Sequence, residues 1–280
     1  MGRKLENKVA LVTGGNGSLG KGIVKALLNE GAKVIFCGRN EEKNQNVVHE
    51  MNQLGYDVLA LKCDISNSSD VKQMYKTITQ HYGTLDILVN NAAVTSGNGL
   101  HKGNGKTDRE NYIQLTSELG TKFSLEVTKN MTDEEWESSM KINLNGVFFC
   151  TREALKIMEH NKKGKIINIV SMAGVSNKSP HSPSYAAAKG GVVAFTKNLA
   201  VEVAGAGVIV NAIAPGFIET PAFNDFINSV RPEVIQGMLL DVPLKRLGTI
   251  EENAALVVYL ASDEANYIVG QVINTNGGMF

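Results

Sequence analysis

Short apolar runs rich in β-branched residues alternate along the chain with longer amphipathic stretches. The runs predict strands over Lys8–Val12, Lys33–Cys37, Asp57–Lys62, Leu85–Val89, Lys165–Val170, Val208–Ile213 and Gln271–Ile273. Most are apolar at successive positions rather than at every second one, as in strands covered on both faces. Between them the pattern predicts helices over Ser18–Asn29, Glu41–Gln53, Ser68–Gln80, Asp133–Glu159, Ser184–Ala204 and Glu251–Ala261. Strand and helix alternate throughout, which argues for an α/β fold, one doubly wound parallel sheet in a single domain spanning 1–280. No repeat, low-complexity tract or Pro/Ser-rich linker divides it.

Several boundaries carry their own chemistry. Thr132 followed by Glu135 has capping-box spacing, and Ser66 and Ser68 precede the third helix. Gly31 and Gly55 stand just past helix ends, where a left-handed residue is wanted. Two segments exceed the minimal pattern: a polar, glycine-containing insertion at 95–131, and an apolar excursion at 217–247 that reads as a substrate lid. Both leave the carboxyl ends of expected strands, the edge where such sheets bind ligands.

Composition narrows the function. Lys plus Arg and Asp plus Glu number 28 each, so the formal charge is zero, and neither nucleic acid nor an anionic membrane is an expected partner. The three cysteines have no metal-type spacing and read as reduced structural thiols. The five histidines form no ligand pair, so no metal is expected. The first eight residues are polar and charged, unlike a signal peptide, and no apolar run approaches the ~20 residues of a membrane span. A cytoplasmic location is therefore expected.

Directly after the first expected strand comes Thr13-Gly14-Gly15-Asn16-Gly17-Ser18-Leu19-Gly20, running into a helix. Glycines there let the backbone approach a pyrophosphate, and the free amides of the following helix stabilise its charge. A tight strand–helix connection wants glycine anyway, so the placement carries the reading. NAD sites usually hold a carboxylate about twenty residues further on, for the ribose 2′-hydroxyl. Here the position eighteen residues past Gly20 is Gly38, followed by Arg39. A guanidinium suits a 2′-phosphate in charge and shape, which favours NADP(H) over NAD(H). Asp64 reads either as an acceptor for the adenine amino group or as a cap for the next helix. Asn90-Asn91-Ala92-Ala93 ends the fourth strand with small residues suited to a close cofactor.

Tyr185 and Lys189 stand four residues apart, on one face of an expected helix. A phenol with its reference pKa of about 10 is a poor base at neutral pH. A nearby ammonium and an oxidised nicotinamide would lower it, and the pair could then exchange a proton with a ketone or alcohol. Ser171 ends an apolar run and could bond the substrate oxygen or merely form a turn. Asn143 falls inside an expected helix, a place that disfavours asparagine.

Taken in order, these residues resemble the short-chain dehydrogenase/reductase family over essentially the whole chain. The matching pieces are Thr13–Gly20, Asp64, Asn90-Asn91-Ala92, Asn143, Ser171, Tyr185 with Lys189, and Asn211–Gly216 with Thr220. The resemblance implies a Rossmann-type fold and a tetrad. Tyr185 would be the acid/base, Ser171 would orient the carbonyl, Lys189 would bind ribose and lower the tyrosine pKa, and Asn143 would hold a relay water. The implied cofactor contacts are Gly14, Asn16, Gly17, Ser18, Leu19, Gly20, Arg39, Asp64, Ile65, Asn91, Ala92, Pro215, Gly216, Ile218 and Thr220, with Tyr185 and Lys189. A homo-oligomer, tetramer or dimer, is also implied. The chain departs from the family's usual glycine turn by carrying Gly17-Ser18, has Ala93 for a glycine, and sets Tyr185 fourteen residues after Ser171, one more than is common.

The expected activity is NADP-dependent interconversion of a secondary alcohol and a ketone. Apolar side chains at 217–240 favour a hydroxysteroid or bile acid as the small-molecule substrate. The alternatives are a sugar-acid (ketouronate) reductase, suggested by the polar insertion with Lys102, Lys106, Arg109 and Lys122, and a 3-oxoacyl thioester reductase. A non-enzymatic NADP-binding sensor is the remaining class.

Overall fold

The computed structural model describes residues 2–94, 126–177, 182–229 and 232–280. Seven strands form one sheet: β1 Val9–Thr13, β2 Lys33–Gly38, β3 Val58–Lys62, β4 Ile87–Asn90, β5 Gly164–Ile169, β6 Val208–Pro215 and β7 Val272–Thr275. Their order is β3-β2-β1-β4-β5-β6-β7, with every pairing parallel. The helices are α1 Ser18–Asn29, α2 Glu41–Gln53, α3 Ser68–Tyr82, the single turn α4 Val127–Asn130, α5 Asp133–Met140, α6 Gly146–Met158, α7 Pro183–Val203, α8 Pro221–Ser229, α9 Pro232–Leu240 and α10 Ile250–Ala261. Among the described residues, no helix is long and apolar enough to cross a membrane.

Period two in the strands divides the core. Ala10 and Val12 of β1 face one side with Val34, Phe36, Ile23 and Leu27, under α1, α2 and α10. Val9 and Leu11 face the other side with Ile35, Leu88, Ile78 and Cys150, under α3, α6 and α7. Truncating one of these fully buried chains to alanine costs about 2–5 kcal/mol. A polar chain runs through the centre: Asn90 donates to Asn168 Oδ1 (2.9 Å) and Thr151 Oγ1 (3.1 Å), and Asn168 donates to Thr196 Oγ1 (2.8 Å). It ties β4 and β5 to α6 and α7, and each buried amide finds a partner.

Chain order reverses between β1 and β4, since β2 and β3 lie on one side and the later strands on the other. Connections leave in opposite directions there and open a crevice at the carboxyl edge.

The structure corrects three local expectations. The helix expected over Asp133–Glu159 is two helices joined by a π-helical turn at Lys141–Asn145. The third helix is capped by Asn67, whose side chain accepts from the amides of Ser69 (2.9 Å) and Asp70 (3.4 Å), rather than by Ser66 or Ser68. The 217–247 segment carries α8 and α9, whose first residues Pro221 and Pro232 suit a helix start. Thr132 and Glu135 form the capping box reciprocally, and Gly31 and Gly55 hold left-handed φ of 86° and 82°. Lys102, Lys106, Arg109 and Lys122, with most of the 95–131 insertion, lie outside the described residues.

Candidate active site

The turn after β1 is built for close approach. Gly14 has φ +66°, and a Cβ there would stand 2.8 Å from Ala92 Cα. A Cβ on Gly20 would meet the Gly14 carbonyl oxygen at 2.1 Å, so α1 packs directly on the turn. Gly17 is the N-cap of α1 and offers no side-chain cap, which leaves first-turn amides for an anion. Asn91 staples this turn to the end of β4: its Nδ2 donates to the carbonyls of Thr13 (2.9 Å) and Gly14 (3.2 Å), while the Thr13 hydroxyl accepts from the amides of Asn91 and Ala92 (both 3.0 Å).

The far end of the cleft is anchored by α7. Lys189 is 1% exposed, and its Nζ donates to the Ile169 carbonyl at the end of β5 (2.7 Å). Burial pulls its ammonium down to about 8. Its Nζ lies 5.7 Å from the centroid of the Tyr185 ring, one helical turn away. The Ser171 hydroxyl oxygen accepts from the Ala173 amide (3.1 Å), capping the short turn Met172–Gly174. That turn presses on α7 so tightly that a Cβ on Gly174 would meet the Lys189 carbonyl carbon at 2.6 Å.

Tyr185 departs from expectation. Burial raises its phenol above the usual range, and a hydrogen bond to Ser171 opposes the rise. The neighbouring lysine alone does not bring it down. Asn143 is wholly buried in the π-turn, where its Oδ1 accepts from the Val94 amide (3.0 Å) and its Nδ2 donates to the Val94 carbonyl (2.9 Å) and Ser139 Oγ (3.2 Å). This side chain is therefore spent on holding the segment that leaves β4.

Both ends open into one cleft of about 540 Å³. Gly14, Asn16, Gly17, Ser18, Leu19, Gly20, Arg39, Asp64, Ile65, Asn91 and Ala92 line one half. Ser171, Tyr185, Lys189, Pro215, Gly216, Ile218 and Thr220 line the other. Of the expected tetrad and cofactor contacts, Asn143 alone does not line the cleft; its neighbour Ile142 does. Sequence reasoning missed Cys37, Cys63, Val94 and Ile169 as lining groups. Their positions at strand ends were the available signal. Arg39 is exposed at the rim, as a group meeting a charged phosphate would be. Asp64 accepts from the amide (3.0 Å) and hydroxyl (2.8 Å) of Ser66, which shapes the loop and caps no helix. Asn16 donates to Asn44 Oδ1 (2.7 Å), securing the turn to α2.

The donor set fits a dinucleotide. A side-chain-free cradle and helix amides face one stretch, a guanidinium one end, and a phenol with an ammonium the other.

The fold is shared with known proteins. Residues 8–118 match the family model described as short chain dehydrogenase, and residues 119–280 the one described as Enoyl-(Acyl carrier protein) reductase. Curated relatives include the 3-oxoacyl-(acyl-carrier-protein) reductase FabG of Vibrio cholerae, 37% identical over 99% of this chain and 98% of its own. The enzyme of the same name from Staphylococcus epidermidis is 34% identical over 98% and 99%. Among solved structures, that of gox2181 superposes with a TM-score of 0.83 at 30% identity, covering 99% of this chain and 96% of its own. A protein provisionally named a gluconate dehydrogenase, from Agrobacterium tumefaciens, gives 0.84 at 27% identity, covering 99% and 97%.

Proposed function

This chain belongs to the short-chain dehydrogenase/reductase family, NAD(P)-dependent oxidoreductases acting on CH–OH groups, and from that premise we propose that it reduces the ketone of a 3-oxoacyl thioester with NADPH. The observation that carries the reading is the convergence of Tyr185, Ser171 and Lys189 at one end of a cleft whose other end holds the glycine turn and Arg39. The choice of thioester rests on relatives at 34–37% identity that share that name over nearly their whole length. These relatives give the hydroxysteroid expectation no support. Acetoacetyl thioester and NADPH should be consumed in equal amounts by the purified protein. A rate no greater than that of Tyr185→Phe would overturn the proposal.

When bound, the nicotinamide supplies hydride. The residues do the rest. Ser171 accepts from the Ala173 amide and bonds to Tyr185, and its proton would turn to the substrate carbonyl oxygen once a ketone enters between them. Tyr185 Oη gives the proton that turns the developing alkoxide into an alcohol. Lys189 is held by the Ile169 carbonyl and brings positive charge beside the phenol, which favours tyrosinate once the proton has left. Because the Asn143 amide is committed to Val94 and Ser139, a relay water would be held by main-chain groups of the π-turn. Arg39 would meet the 2′-phosphate of NADP(H).

A second reading has its own support. The likeness to the protein provisionally named a gluconate dehydrogenase, together with the polar segment at 95–131, favours a polyhydroxy acid. Gluconate oxidation with NADP+, faster than thioester reduction, would decide for it.

The protein works as a homo-oligomer in the cytosol. Phe148 and Trp136 stand 44% and 42% exposed on α6 and α5, with Arg152 stacked over Phe148 (5.4 Å), an apolar face that a second copy would cover. All three cysteines are free and buried, as a reducing compartment keeps them. Light scattering after gel filtration tests the assembly.

A further inference from the structure

At the opposite edge of the sheet, where the strands begin, three lysines gather around a pocket of about 200 Å³. Parallel pairing brings them there. The Asp86 amide donates to the Val9 carbonyl (2.9 Å), the Lys165 amide to the Asp86 carbonyl (2.9 Å), and the Gly164 amide to the Gly207 carbonyl (3.3 Å). The first residues of β1, β4, β5 and β6 thus stand side by side, with Lys8 leading into β1 and Lys163 and Lys165 flanking Gly164. Lys165 is only 8% exposed, and its Nζ donates to Asn266 Oδ1 (2.7 Å). Among the described residues, none of the three lysines reaches a carboxylate within ion-pair distance.

Two carboxylates face the same pocket. Asp86 has one oxygen committed to the Val9 amide (2.9 Å), and Asp263 sits in the turn after α10. The ammonium groups work against one another. Contact with Lys163 pulls Lys8 below its usual range, and burial, followed by repulsion from Lys8 and Lys163, does the same to Lys165 against the pull of Asp263. Like charges gathered in a concavity gain most from a bound anion, which neutralises them and accepts their hydrogen bonds.

We propose that this pocket is a second anion site, remote from the nucleotide cleft, that takes the phosphoryl group of inorganic phosphate or of a small phosphate ester. A phosphoryl group offers a separate oxygen to each ammonium, which a carboxylate with two oxygens cannot. The pocket is far smaller than the 540 Å³ cleft, so the ligand is a head group rather than a dinucleotide.

The test uses the protein saturated with NADP+, so that phosphate cannot enter through the cleft. Inorganic phosphate and glycerol 3-phosphate are titrated separately by calorimetry at pH about 7, at low and at raised salt. Saturable binding of one equivalent is expected, weakening as salt is raised. Lys163→Gln, at an exposed side chain, and Lys8→Gln/Lys163→Gln should weaken it, the double variant by about ten-fold or more. Tighter binding of one titrant identifies ester or free phosphate as the source. No saturable binding of either, or undiminished binding by both variants, overturns the proposal.

Discussion

The Lys189 ammonium donates to the Ile169 carbonyl across 2.7 Å, fastening the helix that carries Tyr185 to the end of the strand that leads into Ser171. Two consequences follow for stability. Lys189→Met leaves that carbonyl without its buried donor, a loss of about 1–3 kcal/mol. The lysine's own titration adds a pH dependence. Its folded pKa of about 8 lies below the ordinary 10.5, so between those values only the unfolded chain holds the proton. Stability contributed by this group therefore rises as pH climbs through that window, and its charge-burial penalty is fully present below it. The change is on the order of 3 kcal/mol. Urea melts at pH about 7 and about 10 should show wild type gaining on Lys189→Met by up to that amount. A constant difference would show that the lysine titrates normally.

Tyr185 gives a second pH signature. Burial raises the phenol and the Ser171 hydrogen bond opposes the rise, so removing that bond must raise it further. In the alcohol-oxidising direction, activity grows as the phenol ionises. Ser171→Ala should move the rising limb of kcat/KM to higher pH, in addition to lowering its plateau. Tyr185→Phe should lose about 10³-fold or more in kcat while NADPH affinity, read by fluorescence, stays within two-fold of wild type, about 0.4 kcal/mol. A limb unmoved by Ser171→Ala would remove the serine from the titration.

Much of this was legible in the chain because strands and the residues at their ends are local patterns. The expected strands Lys33–Cys37 and Val208–Ile213 fall short of β2 and β6 by one and two residues, each time at the carboxyl end where the site begins. Those last residues, Gly38, Ala214 and Pro215, are small or ring-constrained, so the β-branched signal fades before the strand does. The π-turn left no such trace. Apolar positions from Met140 to Phe148 suit an unbroken helix, and what breaks it is Asn143 reaching Val94, 49 residues away in sequence. The raised phenol was hidden for the same reason. Four-residue spacing reveals the lysine, but burial of the pair arises only when α7 docks on β5 and the Met172–Gly174 turn.

In the proposed reading, cofactor preference rests on Arg39. It stands exposed at the rim, two residues past Cys37, beside the turn that holds Asn16. Arg39→Ala should weaken NADPH by about 10–100-fold, the loss of a charge-assisted pair, and leave NADH within about two-fold. Equal loss for both cofactors would mean that the guanidinium meets a part they share.

The unusual order Gly17-Ser18 in the glycine turn raises the question of which glycine the turn requires. The geometry separates them. A Cβ on Gly20 would stand 2.1 Å from the Gly14 carbonyl oxygen and 2.7 Å from Asn91 Nδ2, and neither main chain nor staple can give way without parting α1 from β4. A Cβ on Gly17 would meet nothing closer than the same oxygen at 3.4 Å, and its φ of −87° is open to any residue. Gly20→Ala should therefore cost about 1–3 kcal/mol of stability and abolish measurable NADPH binding. Gly17→Ala should keep its Tm within about 2 °C, since no cap or contact is lost. Ser18, the first residue of α1, then suits its place because the helix start needs free amides rather than a bare Cα. A Gly17→Ala variant as damaged as Gly20→Ala would show that the backbone at this point turns in a way only glycine permits.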